Sequence, residues 1–180
     1  MRAFKLLKLC FLLIAISVFP TSKTIASDNI ETAGDIIQIL IPGIAYGTTF
    51  YLDDREGRTQ FYKSFGTNLA ATYVLKYAIN SERPNGGDHS FPSGHTSAAF
   101  QGAAFIHKRY GISYGVTAYL GAAFVGYSRV EADKHYVGDV IAGAAIGIIS
   151  SFYFTEPYKG VNITPTHSNG TYGIKVSKNF

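Results

Sequence analysis

The chain has 180 residues, 47% of them apolar and only 16% charged, which fits one domain with a substantial buried core and excludes a disordered protein. Its formal net charge is +4, but Arg2, Lys5, Lys8 and Lys23 account for all of it: beyond residue 26 the chain carries 12 basic and 12 acidic residues. That balance gives no support to a nucleic-acid partner. The single cysteine, Cys10, leaves no disulfide framework and, past residue 26, no thiolate nucleophile or Cys-ligated metal.

In chain order, residues 1–26 read as a signal peptide. Arg2, Lys5 and Lys8 precede the short apolar run Leu9 to Phe19, and Thr24-Ile25-Ala26 offers small residues for cleavage after Ala26. The alternative is an uncleaved N-terminal anchor. Asp28 to Asp35 reads as a polar lead-in. Ile36 to Leu52 is a long apolar stretch in which Pro42-Gly43 predicts a bend or short break. Asp53 to Gly57 (DDREG) reads as a solvent-facing turn before a second helix over about Ser64 to Ile79. A polar, breaker-rich loop, Asn80 to Pro92, follows; His89 within it reads as an exposed loop residue.

Three further helices are predicted over about Gly94–Arg109, Ile112–Tyr127 and Tyr136–Phe154. The first and last are rich in Gly, Ala and Ser, which lets helix backbones approach closely. Residues 161–180 change character, with Asn169-Gly170 between two short strand-like runs suggesting a β-hairpin tail. The expected fold is all-α: a compact bundle of about five core helices over residues 27–160, plus the tail. The apolar stretches barely reach membrane-spanning length and carry Asn68, Gln101, His107 and Asp139. The balance favours an exported, periplasmic helical protein lying against a membrane; the alternative is an integral inner-membrane protein whose site faces the periplasm.

Three polar clusters fall at helix ends: Lys76 with Arg83-Pro84, then Pro92-Ser93-Gly94-His95, then Ser128-Arg129 with His135 and Asp139. Alone, each has an ordinary reading, such as a helix-end cation, an N-cap or a structural pair. Together they suit phosphoryl transfer, whose transition state spreads negative charge over three oxygens and needs fixed donors around it. Lys76, Arg83 and Arg129 supply positive charge, the two arginines as planar forks. Ser93 and Gly94 add a hydroxyl, a backbone amide and the positive end of a helix. His135 and Asp139, four apart, fall on one face, so the carboxylate can hold one ring nitrogen and leave the other free to attack. No His-rich carboxylate cluster remains for a metal, and no cofactor is expected.

This three-part pattern, from Lys76 to Asp139, resembles the type 2 phosphatidic acid phosphatase (PAP2) superfamily, which also includes the vanadium-dependent haloperoxidases. The resemblance implies that His135 is the nucleophile of a phosphohistidine intermediate, and that His95 is the acid for the leaving oxygen and then the base for water. FPSGHTSAAF looks more like the lipid phosphatase branch than the acid phosphatases, whose matching segment usually has Tyr where Phe91 stands. The expected activity is metal-independent hydrolysis of a phosphomonoester or pyrophosphate on a phosphate-bearing lipid or small molecule. Phosphatidate, a prenyl pyrophosphate and a phosphorylated lipid A are the lipid candidates. The rivals are a vanadium-dependent haloperoxidase and a non-catalytic envelope protein that binds phosphate.

Overall fold

A computed structural model describes residues 23–158, 161–168 and 171–178. Most of the expected signal peptide, residues 1–22, lies outside the described residues, as does the Asn169-Gly170 turn. Five helices form the bundle: α1 (Lys23–Tyr51), α2 (Arg55–Ile79), α3 (Gly94–Tyr110), α4 (Ile112–Glu131) and α5 (Val137–Phe154). Two strands follow, β1 (Val161–Ser168) and β2 (Thr171–Lys178), paired antiparallel from Val161 opposite Lys178 to Ser168 opposite Thr171. The all-α bundle with a hairpin tail agrees with the sequence.

Helix α3 is the centre of the bundle and packs against all four other helices. Its small residues explain why. A Cβ on Gly143 would stand 2.4 Å from the Ser93 carbonyl oxygen, and one on Gly147 would stand 2.4 Å from the Ser97 carbonyl oxygen. Helices α3 and α5 therefore touch backbone to backbone, where only glycine fits. Around this seam Ala99, Ala103, Phe105 and Val125 are buried together with Ile41 and Phe61. Polar side chains share the interior: Gln101 Nε2 donates to Ser64 Oγ (2.9 Å), Ser151 Oγ donates to the Gln101 carbonyl (2.7 Å), and Thr72 and Ser97 hydroxyls pair at 3.0 Å.

Three local expectations change. Helix α1 is continuous through Pro42, with no break. The proline lacks an N–H and forfeits one helical hydrogen bond, but its backbone lies against Gly102 of α3, where a Cβ would come within 2.7 Å of the Pro42 nitrogen. The polar lead-in Asp28–Asp35 is part of the same helix, and two of its carboxylates have partners across the bundle. Asp35 pairs with Arg129 and Glu31 with Lys134.

The DDREG segment is not wholly solvent-facing either. Asp54 is buried and caps α2 by accepting from the Gly57 N–H (2.9 Å). It also receives Arg109 at both carboxylate oxygens, 2.5 and 2.8 Å, and the Tyr110 hydroxyl at 3.0 Å. Arg109 reaches on to the Glu156 carbonyl (2.9 Å), clasping the α1–α2 turn, the end of α3 and the end of α5.

Candidate active site

The functional side chains gather at the end of the bundle where α2 ends and α3 and α5 begin. Each is set there by a helix terminus. Lys76 lies in the last turn of α2, whose C-cap Asn80 is left-handed (φ 43°). The loop that follows carries Arg83 and folds back, so that the Lys76 ammonium donates to the His89 carbonyl (2.7 Å) and Arg83 Nε donates to the Asp88 carbonyl (2.9 Å). Ser93 caps α3, its hydroxyl accepting from the Thr96 N–H at 3.4 Å, while its own N–H donates to the Asp139 carbonyl (3.0 Å). That last bond ties the first turn of α5 to the start of α3.

A cavity of about 700 Å³ opens here, lined by Lys76, Arg83, Gly94, His95 and His135. The three sequence clusters thus each send residues into one space. Ser93 is fully buried behind Gly94 as a cap. Arg129 and Asp139 do not line the cavity: Asp139 faces His135, and Arg129 pairs with Asp35, whose carboxylate also contacts His95. His135 precedes α5 in a short turn that begins within the last residues of α4, where its N–H and that of Lys134 both donate to the Arg129 carbonyl. Its ring is buried, with Nδ1 facing Asp139 Oδ2 at 3.6 Å. Asp139 Oδ2 also accepts from the Tyr136 N–H (3.0 Å).

Two neighbours escape the sequence patterns. Ser90 Oγ donates to Asp139 Oδ2 (2.5 Å) and lies 3.5 Å from His135 Nδ1, so its hydroxyl sits between carboxylate and imidazole. Nothing in residue type or spacing marks it among the loop serines. His89 is not an exposed loop residue: half-buried and with a positive φ of 57°, it lines the cavity, and its Nδ1 lies 3.1 Å from the Lys76 carbonyl.

The electrostatics follow from burial and from three cations in one place. Burial, with Lys76 and Arg83 nearby, pushes His135 down to about 4 despite the opposing Asp139 carboxylate, so the ring is neutral near pH 7. Burial and the Arg83 charge bring Lys76 down to about 8. His95 is also lowered, first by burial and then by Arg129, with Asp35 acting against them. Among the described residues, no three His, Cys, Asp or Glu side chains converge in a way that holds a metal ion.

The PAP2 superfamily model matches residues 51–159, a span that contains all three clusters. The chain belongs to the PAP2 superfamily.

Among relatives of this PAP2 protein, the lipid A 1-phosphatase of Porphyromonas gingivalis is 42% identical over 94 residues, covering 46% of this chain and 21% of the relative. The lipid A 4'-phosphatase of Helicobacter pylori is 26% identical over 170 residues, covering 86% of this chain and 85% of the relative. The chain spans between 21% and 55% of the length of the lipid A 1-phosphatases it matches. The crystal structure of LpxE from Aquifex aeolicus shares the fold, with a TM-score of 0.61 and 24% identity over 80% of this chain and 91% of that one.

Proposed function

We propose that this PAP2 protein is a metal-independent phosphatase that removes a phosphate from a lipid through a phosphohistidine intermediate, with a phosphorylated lipid A as the first substrate to test. The observation that carries the reading is the shared cavity: the His135 imidazole, with the Asp139 carboxylate 3.6 Å behind it, shares one space with Lys76, Arg83 and His95.

In this reading His135 Nε2 attacks phosphorus in line as the bond to the leaving oxygen breaks, and His95 gives that oxygen a proton. Asp139 and Ser90 stabilise the positive charge that develops on the His135 ring. Water then attacks the phosphohistidine while His95 takes a proton from it; the phosphorus–nitrogen bond breaks and His135 returns neutral. Lys76, Arg83 and Arg129 balance the charge on the transferring group.

A lipid substrate is supported by the remainder of the cavity, an apolar furrow between α1 and α2 lined by Ile39, Pro42, Phe65, Leu69 and Tyr73. It is supported also by the names of the relatives. Membrane association fits the outer surface. Tyr51, Leu120, Ile141, Ile149 and Tyr153 are all largely exposed, and α5 is long and apolar enough to cross a membrane with most of its length not covered by the bundle.

The test is turnover by the purified chain in EDTA with lipid A, phosphatidate, a prenyl pyrophosphate and p-nitrophenyl phosphate. The expected result is EDTA-resistant phosphate release, inhibited by vanadate and lost in His135→Ala. Full turnover in His135→Ala would remove the nucleophile assignment, and halide oxidation on vanadate addition would favour the haloperoxidase chemistry instead.

A further inference from the structure

We propose that Asp35 of α1 is a positioning residue of this site, its carboxylate holding the His95 imidazole and the Arg129 guanidinium at once. The role given to His95 rests on the phosphatase reading above; the contact itself does not.

A single oxygen, Asp35 Oδ1, lies 2.7 Å from Arg129 Nη1 and 3.2 Å from His95 Nε2. It therefore joins α4 to the first turn of α3 through a residue that precedes the PAP2 match, which begins at residue 51. The approach of α1 is close by construction. A Cβ on Gly34 would overlap the Ser128 hydroxyl at 2.0 Å and stand 2.9 Å from Arg129 Nη2, so glycine beside Asp35 lets the carboxylate reach.

Arg129 is fixed on all three nitrogens: Nε donates to Ser128 Oγ (3.1 Å), Nη1 to Asp35 and Nη2 to the Glu31 carbonyl (2.7 Å). One N–H on each Nη is not used by these bonds, and its direction is set by the three already made. Stability alone is a weak reason for the carboxylate. The Asp35 side chain is 46% exposed, and ion pairs with so exposed a partner contribute little to folding.

The charged groups facing His95 are Asp35 from α1, Arg129 from α4, Arg83 from the α2–α3 loop and Lys76 from α2. His135 lines the same cavity, and Glu31, one turn before Asp35, is occupied by Lys134 at 3.1 Å. Among the described residues, Asp35 is the one anion in direct contact with this imidazole, whose other charged neighbours are cations. Its carboxylate favours the charged ring, the form that can give the leaving oxygen a proton, against burial and the surrounding cations, and exchanges no proton itself.

The experiment is an NMR titration of the His95 ring in the ¹⁵N-labelled full chain in detergent micelles, for wild type, Asp35→Asn and Asp35→Glu. The midpoint should fall by about one pH unit in Asp35→Asn, since a carboxylate at this distance favours the charged ring, and should recover in Asp35→Glu. The alkaline limb of kcat/KM should move with it. An unchanged midpoint, with only lower thermal stability, would overturn the proposal.

Where Asp35→Asn does not fold, the wild-type spectrum decides: a neutral His95 ring must carry its proton on Nε2, and an Nδ1–H tautomer overturns the contact. A wild-type chain that releases no phosphate defeats the phosphatase reading alone, because the titration reports the contact independently of turnover.

Discussion

Replacing Arg109 by Ala tests what holds the bundle together at the end away from the site. Arg109 is 2% exposed and Asp54 3%. The substitution strands a buried carboxylate that now receives two guanidinium hydrogen bonds, and removes the donor to the Glu156 carbonyl. Breaking a buried ion pair from one side costs about 3–5 kcal/mol. For a domain of this size that corresponds to a fall in Tm of roughly 10 °C, read by circular dichroism in detergent.

Burial alone would raise the Asp54 carboxyl, but the Arg109 hydrogen bonds and charge hold it below the usual carboxylate range. The stability it contributes is therefore present at neutral pH and is lost as pH falls through that lowered value. In Arg109→Ala this acid-linked loss should shrink or vanish, because burial still raises the carboxyl while the Arg109 contacts that lower it are gone. The double variant Asp54→Asn/Arg109→Met should recover part of the deficit, since it leaves no unpaired charge. Turnover per folded molecule should not change, because Arg109 stands 14 residues along α3 from His95, about 21 Å at the helical rise. A Tm within a degree or two of wild type in Arg109→Ala would refute the account of the clasp.

Other outcomes follow from the same geometry. Ser90→Ala should lower kcat about 10- to 100-fold with little change in KM, as expected for one hydrogen bond to a charged group; wild-type kcat would show that the hydroxyl between Asp139 and His135 is idle. The pH profile of kcat/KM should fall on the acid side near 4, where His135 gains a proton and loses its attacking lone pair. On the alkaline side it should fall first as His95 deprotonates, below its ordinary 6.5, and again near 8 as Lys76 loses its charge; a single fall above 8 would contradict these assignments. Gly147→Val should destabilise by about 1–3 kcal/mol or more through overpacking, since its Cβ would meet the Ser97 carbonyl oxygen at 2.4 Å; chemical denaturation measures it.

The sequence revealed much of this molecule because the relevant signals are local. Helix lengths, the Gly and Ala stripes of α3 and α5, and the clusters around Lys76, His95 and His135 all sit within short windows. What stayed hidden depends on pairing across the bundle. Asp35 and Glu31 look like ordinary solvent carboxylates until Arg129 and Lys134, about a hundred residues later, come alongside. Asp54 looked like part of an exposed turn for the same reason, its partner lying 55 residues on. Pro42 signals a break by its own chemistry, and its close seat on the bare backbone of Gly102, 60 residues on, is invisible in the local sequence.

The glycine seam between α3 and α5 has a consequence for how such a catalyst can diversify. His95 lies in the first turn of α3 and His135 just before α5, helices locked together at Gly143 and Gly147, so the spacing of the two imidazoles is not free to drift. Change is left to the furrow-facing side chains of α1 and α2, such as Ile39, Leu69 and Tyr73, which lie outside that locked pair. Exchanging them reshapes the furrow while the two imidazoles keep their places.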